Sequence, residues 1–144
     1  MSDDPFDLER FVTAQERGGG YARALTELRD GAKRGHWIWW VFPQLAGLGR
    51  SETSRYYGIA SLEEARAYLA HPVLGPRLRE VTAVVSSHAP ATARAIFGGD
   101  DVKFRFSMTL FVRAAPDEEP FRNAIDMFFD GAADPLTDDL LAAK

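Results

Sequence analysis

Apolar residues recur at helical spacing along most of the chain, as expected for α-helices that each bury one face. Asp4 followed by a proline is a typical helix start, and the apolar stripe behind it predicts a first helix over 5–17. The glycines at 18–20 end that helix, because glycine weakens helical order and accepts positive φ. A second helix is predicted to begin near Tyr21 and to end by Gly35, with Glu27 facing water.

The clearest helix start lies at Ser61. Its hydroxyl can accept a hydrogen bond from the Glu64 amide while the Glu64 side chain returns to the Ser61 amide, which predicts a helix over 62–70. His71 and Pro72 end this helix, and His71 is predicted to be a helix cap. Further helices are predicted from Pro72 onward with a stripe at Leu74, Leu78, Val81 and Val85, over 92–97, and along Phe121, Ile125, Phe128 and Phe129 up to Gly131.

The segment 102–112 fits two structures. Its apolar residues alternate as in a half-buried strand, whereas a helix would start at Asp100 or Asp101 and bury Phe104, Met108, Phe111 and Ala115. A lone strand leaves its backbone groups unpaired, which favours the helix. The predicted fold is therefore mainly α, a compact helical bundle with an aromatic-rich connecting loop. The alternative is an α+β fold with a strand near 102–112.

Length and composition indicate one ordinary globular domain over 1–144. A chain of 144 residues supports a single core, and 46% apolar with 26% charged residues is typical of globular proteins. The absence of cysteine excludes disulfides and thiolate chemistry. The acidic N-terminus has no apolar signal segment, and the longest apolar run, 37–42, is too short to span a membrane. We therefore expect a cytoplasmic protein without a membrane partner.

The segment 33–58, called here the aromatic-basic segment, concentrates the candidate chemistry. It holds all three tryptophans and two of the four tyrosines, and its formal charge is +3 on a chain of net charge −4. Flat aromatic faces beside guanidinium and amide donors suit a planar anionic ligand. Because large aromatic side chains dominate core packing, Trp37, Trp40 and Phe42 are predicted to belong to the core.

Four stretches of the chain resemble one known family. They are DPFDLERFVTAQ from Asp4, GAKRGHWIWWVFPQLAGLGRS from Gly31, IASLEEARAYLAHPVLGPRLRE from Ile59 and KFRFSMTLF from Lys103. Together they resemble domain-of-unknown-function family 1810, small bacterial proteins that sometimes carry a calpastatin-like label. The resemblance implies a compact, mainly helical domain. This chain has Phe106 where the family usually has a small hydroxyl residue, just before the serine that matches Ser107, and so lacks any site contribution from that hydroxyl.

The polar residues of the aromatic-basic segment are the candidate ligand contacts. The tract from Gly47 to Ser51 can present backbone amides and the Arg50 guanidinium to a phosphate or carboxylate. The tract lacks the ending of a phosphate-binding Walker loop and the spacing of a dinucleotide fingerprint, so no cofactor is predicted. The predicted ligand-binding residues of this segment are Trp39, Gln44, Arg50, Ser51, Arg55 and Tyr57.

Acid–base chemistry has two candidates. His36 can act as general acid and base or donate to an anion, and Asp101 can serve as a carboxylate base. Lys103 is a predicted anion contact, with Ser107 one helical turn beyond it. The three histidines show no metal-binding spacing, so no metal site is predicted. The acidic residues Asp134, Asp138 and Asp139 are predicted to form a solvated surface.

These features favour a domain that binds a small anionic ligand such as a nucleotide, a sugar phosphate or an ADP-ribose derivative. Whether it is an enzyme stays open. A hydrolase of the N-glycosidic bond of an ADP-ribosyl group is one version, because the tracts HPVLGPRL and IFGGDD are similar to small helical ADP-ribose-processing domains. One alternative is a protein-interaction module with an exposed Trp, Tyr and Arg surface and an unspecified partner. Another is a single-stranded nucleic-acid binder, which the acidic net charge disfavours.

Overall fold

The computed structural model describes residues 3–144 of the chain. These residues form ten α-helices and no β-strand. Short 3₁₀ turns at Arg17–Gly19 and Gly98–Asp100 join two helix pairs. The helices are α1 Glu9–Glu16, α2 Gly20–Arg29, α3 Ile38–Val41, α4 Glu52–Tyr56, α5 Leu62–Ala70, α6 Leu74–Ser86, α7 Ala93–Phe97, α8 Asp101–Ala114, α9 Glu119–Phe129 and α10 Pro135–Ala142. The mainly α prediction is confirmed.

The first helix begins later than predicted. Asp4 does cap it, but its carboxylate accepts hydrogen bonds from the amides of Leu8 and Glu9, at 2.7 and 2.9 Å. The residues between form turns instead of helix, so α1 starts at Glu9. Gly18 and Gly19 then adopt positive φ, at 57° and 69°, and separate α1 from α2. The predicted break at the three glycines is confirmed.

The helix predicted over 62–70 is confirmed as α5, with one correction at its start. The Ser61 hydroxyl accepts from the Glu64 amide at 3.1 Å as expected. The Glu64 carboxylate, however, accepts from the Ala60 amide at 3.0 Å in place of the Ser61 amide, and its other oxygen binds Arg10. His71 caps α6 as predicted: its Nδ1 accepts from the two amides that open that helix, at 3.1 and 3.2 Å.

The segment 102–112 lies within α8, and the strand alternative is not supported. Phe104, Met108 and Phe111 are fully buried, as the helical pattern requires, while Ala115 lies just past the helix end and is half-buried. α8 packs against α5, α7 and α9 and so runs through the centre of the core. Its first turn also faces the aromatic-basic segment, which places Lys103 near the predicted ligand contacts.

The C-terminal aspartates do not form the solvated surface that was predicted. Asp134 is buried, and its carboxylate caps α10 by accepting from the amide and the hydroxyl of Thr137, at 2.7 and 2.8 Å. Asp138 pairs with Arg113 at 2.8 Å, and this hydrogen bond holds the pKa of Asp138 below its usual value. Only Asp139 of the three is exposed.

Close packing of α5 against α6 depends on one glycine. A Cβ atom on Gly75 would lie 2.1 Å from the backbone oxygen of Leu69. We expect Gly75→Ala to lower the free energy of unfolding by about 3 kcal/mol, because this clash outweighs the gain in helix propensity. Urea unfolding would measure the loss. Gly99→Ala is the control, since no atom lies within 4 Å of its Cβ position, and equal stability of the two variants would contradict the prediction.

Candidate functional site

A cavity of about 360 Å³ opens between the loop that follows α3 and the first turns of α8. We call it the Arg50 cavity. Its volume lies at the lower end of the range of small-molecule sites. It brings together five predicted ligand-binding residues. Its lining residues are Trp39, Gln44, Leu48, Gly49, Arg50, Ser51, Ser54, Val102, Lys103 and Phe106.

Backbone pairing holds the loop that forms one wall of this cavity. The Ala46 amide donates to the Ile59 oxygen at 2.8 Å, and the Ile59 amide donates to the Gln44 oxygen at 2.9 Å. The loop returns through Gly49, where a Cβ atom would lie 2.5 Å from the Ser54 hydroxyl. A glycine is therefore required for the loop to pack this closely, and the packing keeps the buried Gln44 side chain at the cavity wall.

Ser51 has a structural role in this wall. Its hydroxyl accepts from the Ser54 amide at 3.1 Å and so caps α4, and the Ser54 hydroxyl donates back to the Ser51 backbone oxygen at 2.9 Å. The predicted phosphate contact at Ser51 would have to share an oxygen that already serves the helix. The cap places Arg50 immediately before the helix, at the mouth of the cavity.

One carboxylate holds two lysines on the α8 side. Asp100 accepts from Lys103 Nζ at 2.9 Å through Oδ1 and from Lys33 Nζ at 2.8 Å through Oδ2. Burial raises the pKa of Asp100, but the hydrogen bonds and charges of the two lysines outweigh it and leave the pKa lowered. The three ionised groups carry a net charge of +1. Lys103 Nζ also lies 5.8 Å from the ring centroid of Trp39.

Arg50 is the unpaired cation of this cavity within the described residues. Its side chain is exposed, and among residues 3–144 its guanidinium has neither an ion pair nor a hydrogen bond. No aspartate or glutamate lines the Arg50 cavity in the described chain. The cavity therefore presents one free guanidinium and one tethered ammonium beside the Trp39 indole. Phe106 adds an apolar ring to the lining of the cavity.

The other predicted site residues lie elsewhere. His36 is exposed and lines a second cavity, beside Arg17, Glu27, Trp37 and Trp40. Asp101 lies in the first turn of α8, where its carboxylate accepts from the Val102 amide at 2.9 Å. His36 and Asp101 do not line a common cavity. Three predicted ligand-binding residues stay outside the Arg50 cavity: Arg55, which is exposed on α4; Tyr57, which packs on Phe11 and Trp40; and Ser107, which is fully buried in α8.

None of the three tryptophan side chains is exposed on the surface. Trp37 is buried, as predicted, whereas Trp39 and Trp40 are half-buried with their indole nitrogens shielded from solvent. Those two nitrogens have no hydrogen-bond partner within residues 3–144. The large apolar side chains exposed on the described surface are instead Tyr56, Val102, Met127 and Leu136.

Sequence reasoning missed the partners of two carboxylates, Asp100 and Glu27. The Asp100 contact to Lys103 had a local signal, since oppositely charged residues three positions apart on a helix are neighbours. The contact to Lys33 had none, because it depends on how the aromatic-basic segment packs on α8. Glu27, predicted to face water, is half-buried and accepts three hydrogen bonds.

The described residues contain no group of three or more His, Asp or Glu side chains placed to hold a metal ion. Within the same residues, every helix is too short or too polar to cross a bilayer.

Comparison with known proteins identifies relatives of unknown function. The sequence profile of a family described as a protein of unknown function, DUF1810, matches residues 5–141. A crystal structure of the conserved hypothetical protein Rv1873 from Mycobacterium tuberculosis is 49% identical and superposes with a TM-score of 0.93. That match covers 98% of this chain and 100% of the other. No curated protein matches the chain significantly.

Proposed function

Since the chain belongs to the DUF1810 family, whose function is unknown, its own side chains must indicate an activity, and we propose that the Arg50 cavity binds a small anionic molecule with a planar group. The observation that carries this proposal is the combination of a free Arg50 guanidinium, a tethered Lys103 ammonium and the Trp39 indole in one cavity free of carboxylates. A nucleotide is the ligand class that fits best. Sugar phosphates and ADP-ribose derivatives share its anionic group.

Each side chain has a distinct part in this proposal. Arg50 would grip two oxygens of a phosphate, since a guanidinium presents parallel donors in a fixed fork. Lys103 would add a point charge whose position is set by Asp100 before the ligand arrives. The Trp39 ring would pack on the planar group, and the Gln44 amide would bind polar edges of a base or sugar. We also propose a cytoplasmic location for the protein.

The hydrolytic version of this hypothesis has less support than binding alone. It assigns His36 and Asp101 as acid and base, yet neither residue lines the Arg50 cavity. General acid–base catalysis needs both groups within hydrogen-bonding reach of the reacting atoms, directly or through one water. We therefore propose binding as the primary activity. Incubation with ADP-ribosylated substrates would test hydrolysis separately.

The two alternative functions also have less support. An interaction module of the proposed kind needs exposed indoles, whereas the Trp39 and Trp40 rings are half-buried. A single-strand binder needs aromatic platforms along a basic groove. The cavity instead has one indole and one phenyl ring, on a chain of net charge −4. Binding of an oligonucleotide that weakens with salt, and not of AMP, would favour that second alternative.

We expect Arg50→Ala to weaken AMP binding at least about tenfold, because a hydrogen bond to a charged group contributes about 1.5–3 kcal/mol. Isothermal titration with AMP, ADP-ribose, ribose 5-phosphate and adenosine would measure it, and adenosine should bind more weakly than AMP. The unfolding midpoint without ligand should stay unchanged, since the guanidinium has no partner in residues 3–144.

Arg55→Ala is the matched control for that experiment. Arg55 is an exposed arginine on the adjoining helix, but it does not line the Arg50 cavity. It should therefore leave AMP binding unchanged. Equal weakening by both substitutions would indicate a diffuse charge effect and contradict the proposed site. A folded protein that shows no binding to any of the four ligands at millimolar concentration would contradict the proposal as a whole.

A further inference from the structure

A second cavity lies on the other side of α3, between that helix and α1 and α2. We call it the Glu27 cavity. Its volume is about 270 Å³, and none of its lining residues also lines the Arg50 cavity. Its walls are mostly apolar, with the rings of Trp37 and Trp40 beside Ala14, and its charged lining groups come from Arg17, Arg23 and Glu27.

The Glu27 carboxylate is fixed by its surroundings through one oxygen only. Oε1 accepts from the amides of Arg34 and Gly35 and from the Trp37 indole nitrogen, at 2.7, 2.8 and 3.0 Å. Oε2 accepts no hydrogen bond from any residue of 3–144 and is not among the shielded polar atoms of that range. The cavity is therefore lined by a rigid carboxylate with one acceptor oxygen still available.

This carboxylate stays ionised near neutral pH. Burial raises the pKa of Glu27, but the backbone amides of Gly35 and Arg34 and the Trp37 indole outweigh that effect and leave the pKa lowered. An ionised oxygen held in this way accepts strongly from an ammonium group, since hydrogen bonds between charged groups are shorter and stronger than neutral ones.

The two arginines of the cavity differ in availability. Arg23 donates to the Gly18 backbone oxygen, whereas the exposed Arg17 guanidinium has no hydrogen bond or ion pair in residues 3–144. The cavity thus offers a free anion-binding group as well as a free carboxylate oxygen. A purely anionic ligand would leave Glu27 Oε2 without a donor, and a purely cationic one would leave Arg17 without an anionic partner.

We propose that the Glu27 cavity binds a small zwitterion, an α-amino acid with an aromatic or large apolar side chain. The ammonium group donates to Glu27 Oε2, the carboxylate pairs with Arg17, and the side chain packs against the Trp40 ring. The cavity presents both a carboxylate and a guanidinium, as a zwitterion requires, and its apolar walls take the remaining surface of the ligand. This site is independent of the Arg50 cavity and does not rest on its proposed function.

Three matched probes test the proposal on the full chain. Phenylalanine carries both charged groups, phenethylamine lacks the carboxylate, and 3-phenylpropionate lacks the ammonium. We expect phenylalanine to bind at least about tenfold more tightly than either of the others, because each lost contact is a hydrogen bond between charged groups. Titration followed by tryptophan fluorescence and calorimetry would measure the three affinities. Equal affinities, or no binding of phenylalanine at millimolar concentration, would overturn the proposal.

Two substitutions assign the contacts. In Glu27→Gln the amide oxygen can still accept from the three fixed donors, while an NH₂ group replaces Oε2. Phenylalanine binding by the folded variant should therefore fall about tenfold or more. Arg17→Gln removes an exposed group and should weaken phenylalanine and 3-phenylpropionate but not phenethylamine, and it keeps the test valid if Glu27→Gln does not fold. Unchanged phenylalanine binding in the folded variants would overturn the assignment.

Competition separates this site from the Arg50 cavity. Saturating AMP should leave phenylalanine affinity unchanged, and Arg50→Ala should do the same. Displacement of phenylalanine by AMP would contradict a separate amino-acid site. If the unsubstituted chain binds phenylalanine but does not bind AMP, the nucleotide proposal is rejected and this one is supported.

Discussion

Arg10→Ala is expected to lower the free energy of unfolding by about 3–5 kcal/mol, because it leaves a buried carboxylate unpaired. The Arg10 and Glu64 side chains are only 8% and 4% exposed, and they pair at 2.8 Å. The same guanidinium donates to the backbone oxygens of Phe6, Tyr56 and Gly58, at 2.6, 2.8 and 3.1 Å. The Arg10 side chain therefore connects the start of α1 with the end of α4 and the start of α5.

Urea unfolding monitored by circular dichroism would measure this loss. Arg34→Ala is the control, since Arg34 and Asp30 pair at 3.6 Å with side chains 61% and 53% exposed. An exposed pair contributes at most about 1 kcal/mol. Adding Glu64→Gln to Arg10→Ala should restore part of the stability, because the buried group is then neutral. Similar losses from Arg10→Ala and Arg34→Ala would show that the Arg10 network is not a major source of stability.

Helix boundaries were predictable where their signals are local. Ser61 and His71 cap helices through amides two or three residues away, and the spacing of those residues is visible in the sequence. Asp4 failed as a guide to the start of α1 because it caps that helix across a turn, from four and five residues away. Asp134 failed as a surface residue because its cap is buried against α8, where the Asp134 amide donates to the Thr109 hydroxyl oxygen at 2.8 Å.

The position of the candidate site was predictable in part. Excess positive charge and clustered tryptophans mark the aromatic-basic segment, and the Arg50 cavity lies against it. What the sequence does not reveal is that the segment faces two cavities. Neighbouring residues on a helix point about 100° apart. Along α3, Trp39 accordingly lines the Arg50 cavity, Trp40 lines the Glu27 cavity, and Ile38 and Val41 are buried.

Both cavities share one arrangement of charged groups that is visible only in the folded structure. In each, hydrogen bonds or ion pairs fix one charged group, while an arginine has no such partner within residues 3–144. Asp100 fixes Lys103 with the help of Lys33, and the backbone after α2 fixes Glu27. Fixed charges lose little conformational freedom when a ligand binds, which raises affinity. Because the two fixed groups have opposite charge, the two cavities should select ligands of different chemistry.

The second large effect is expected at the centre of the core, where Phe104→Ala should lower the free energy of unfolding by about 3–5 kcal/mol. The Phe104 side chain is fully buried. Its ring lies 4.5 Å from that of Phe97 and 5.2 Å from that of Phe42, between centroids, and 6.0 Å from those of Phe128 and Phe129. Truncation therefore removes contacts to four rings from three parts of the chain and leaves a cavity that they cannot fill.

Val102→Ala is the matched control, and the comparison also tests the helix itself. Val102 is 52% exposed on the first turn of α8, so its truncation should change stability by no more than about 0.5 kcal/mol. In a strand, residues two positions apart share a face, and Val102 and Phe104 would both be buried or both be exposed. On a helix they point in nearly opposite directions. Urea unfolding should therefore give a large loss for Phe104→Ala and almost none for Val102→Ala, whereas comparable losses would contradict the helical packing of α8.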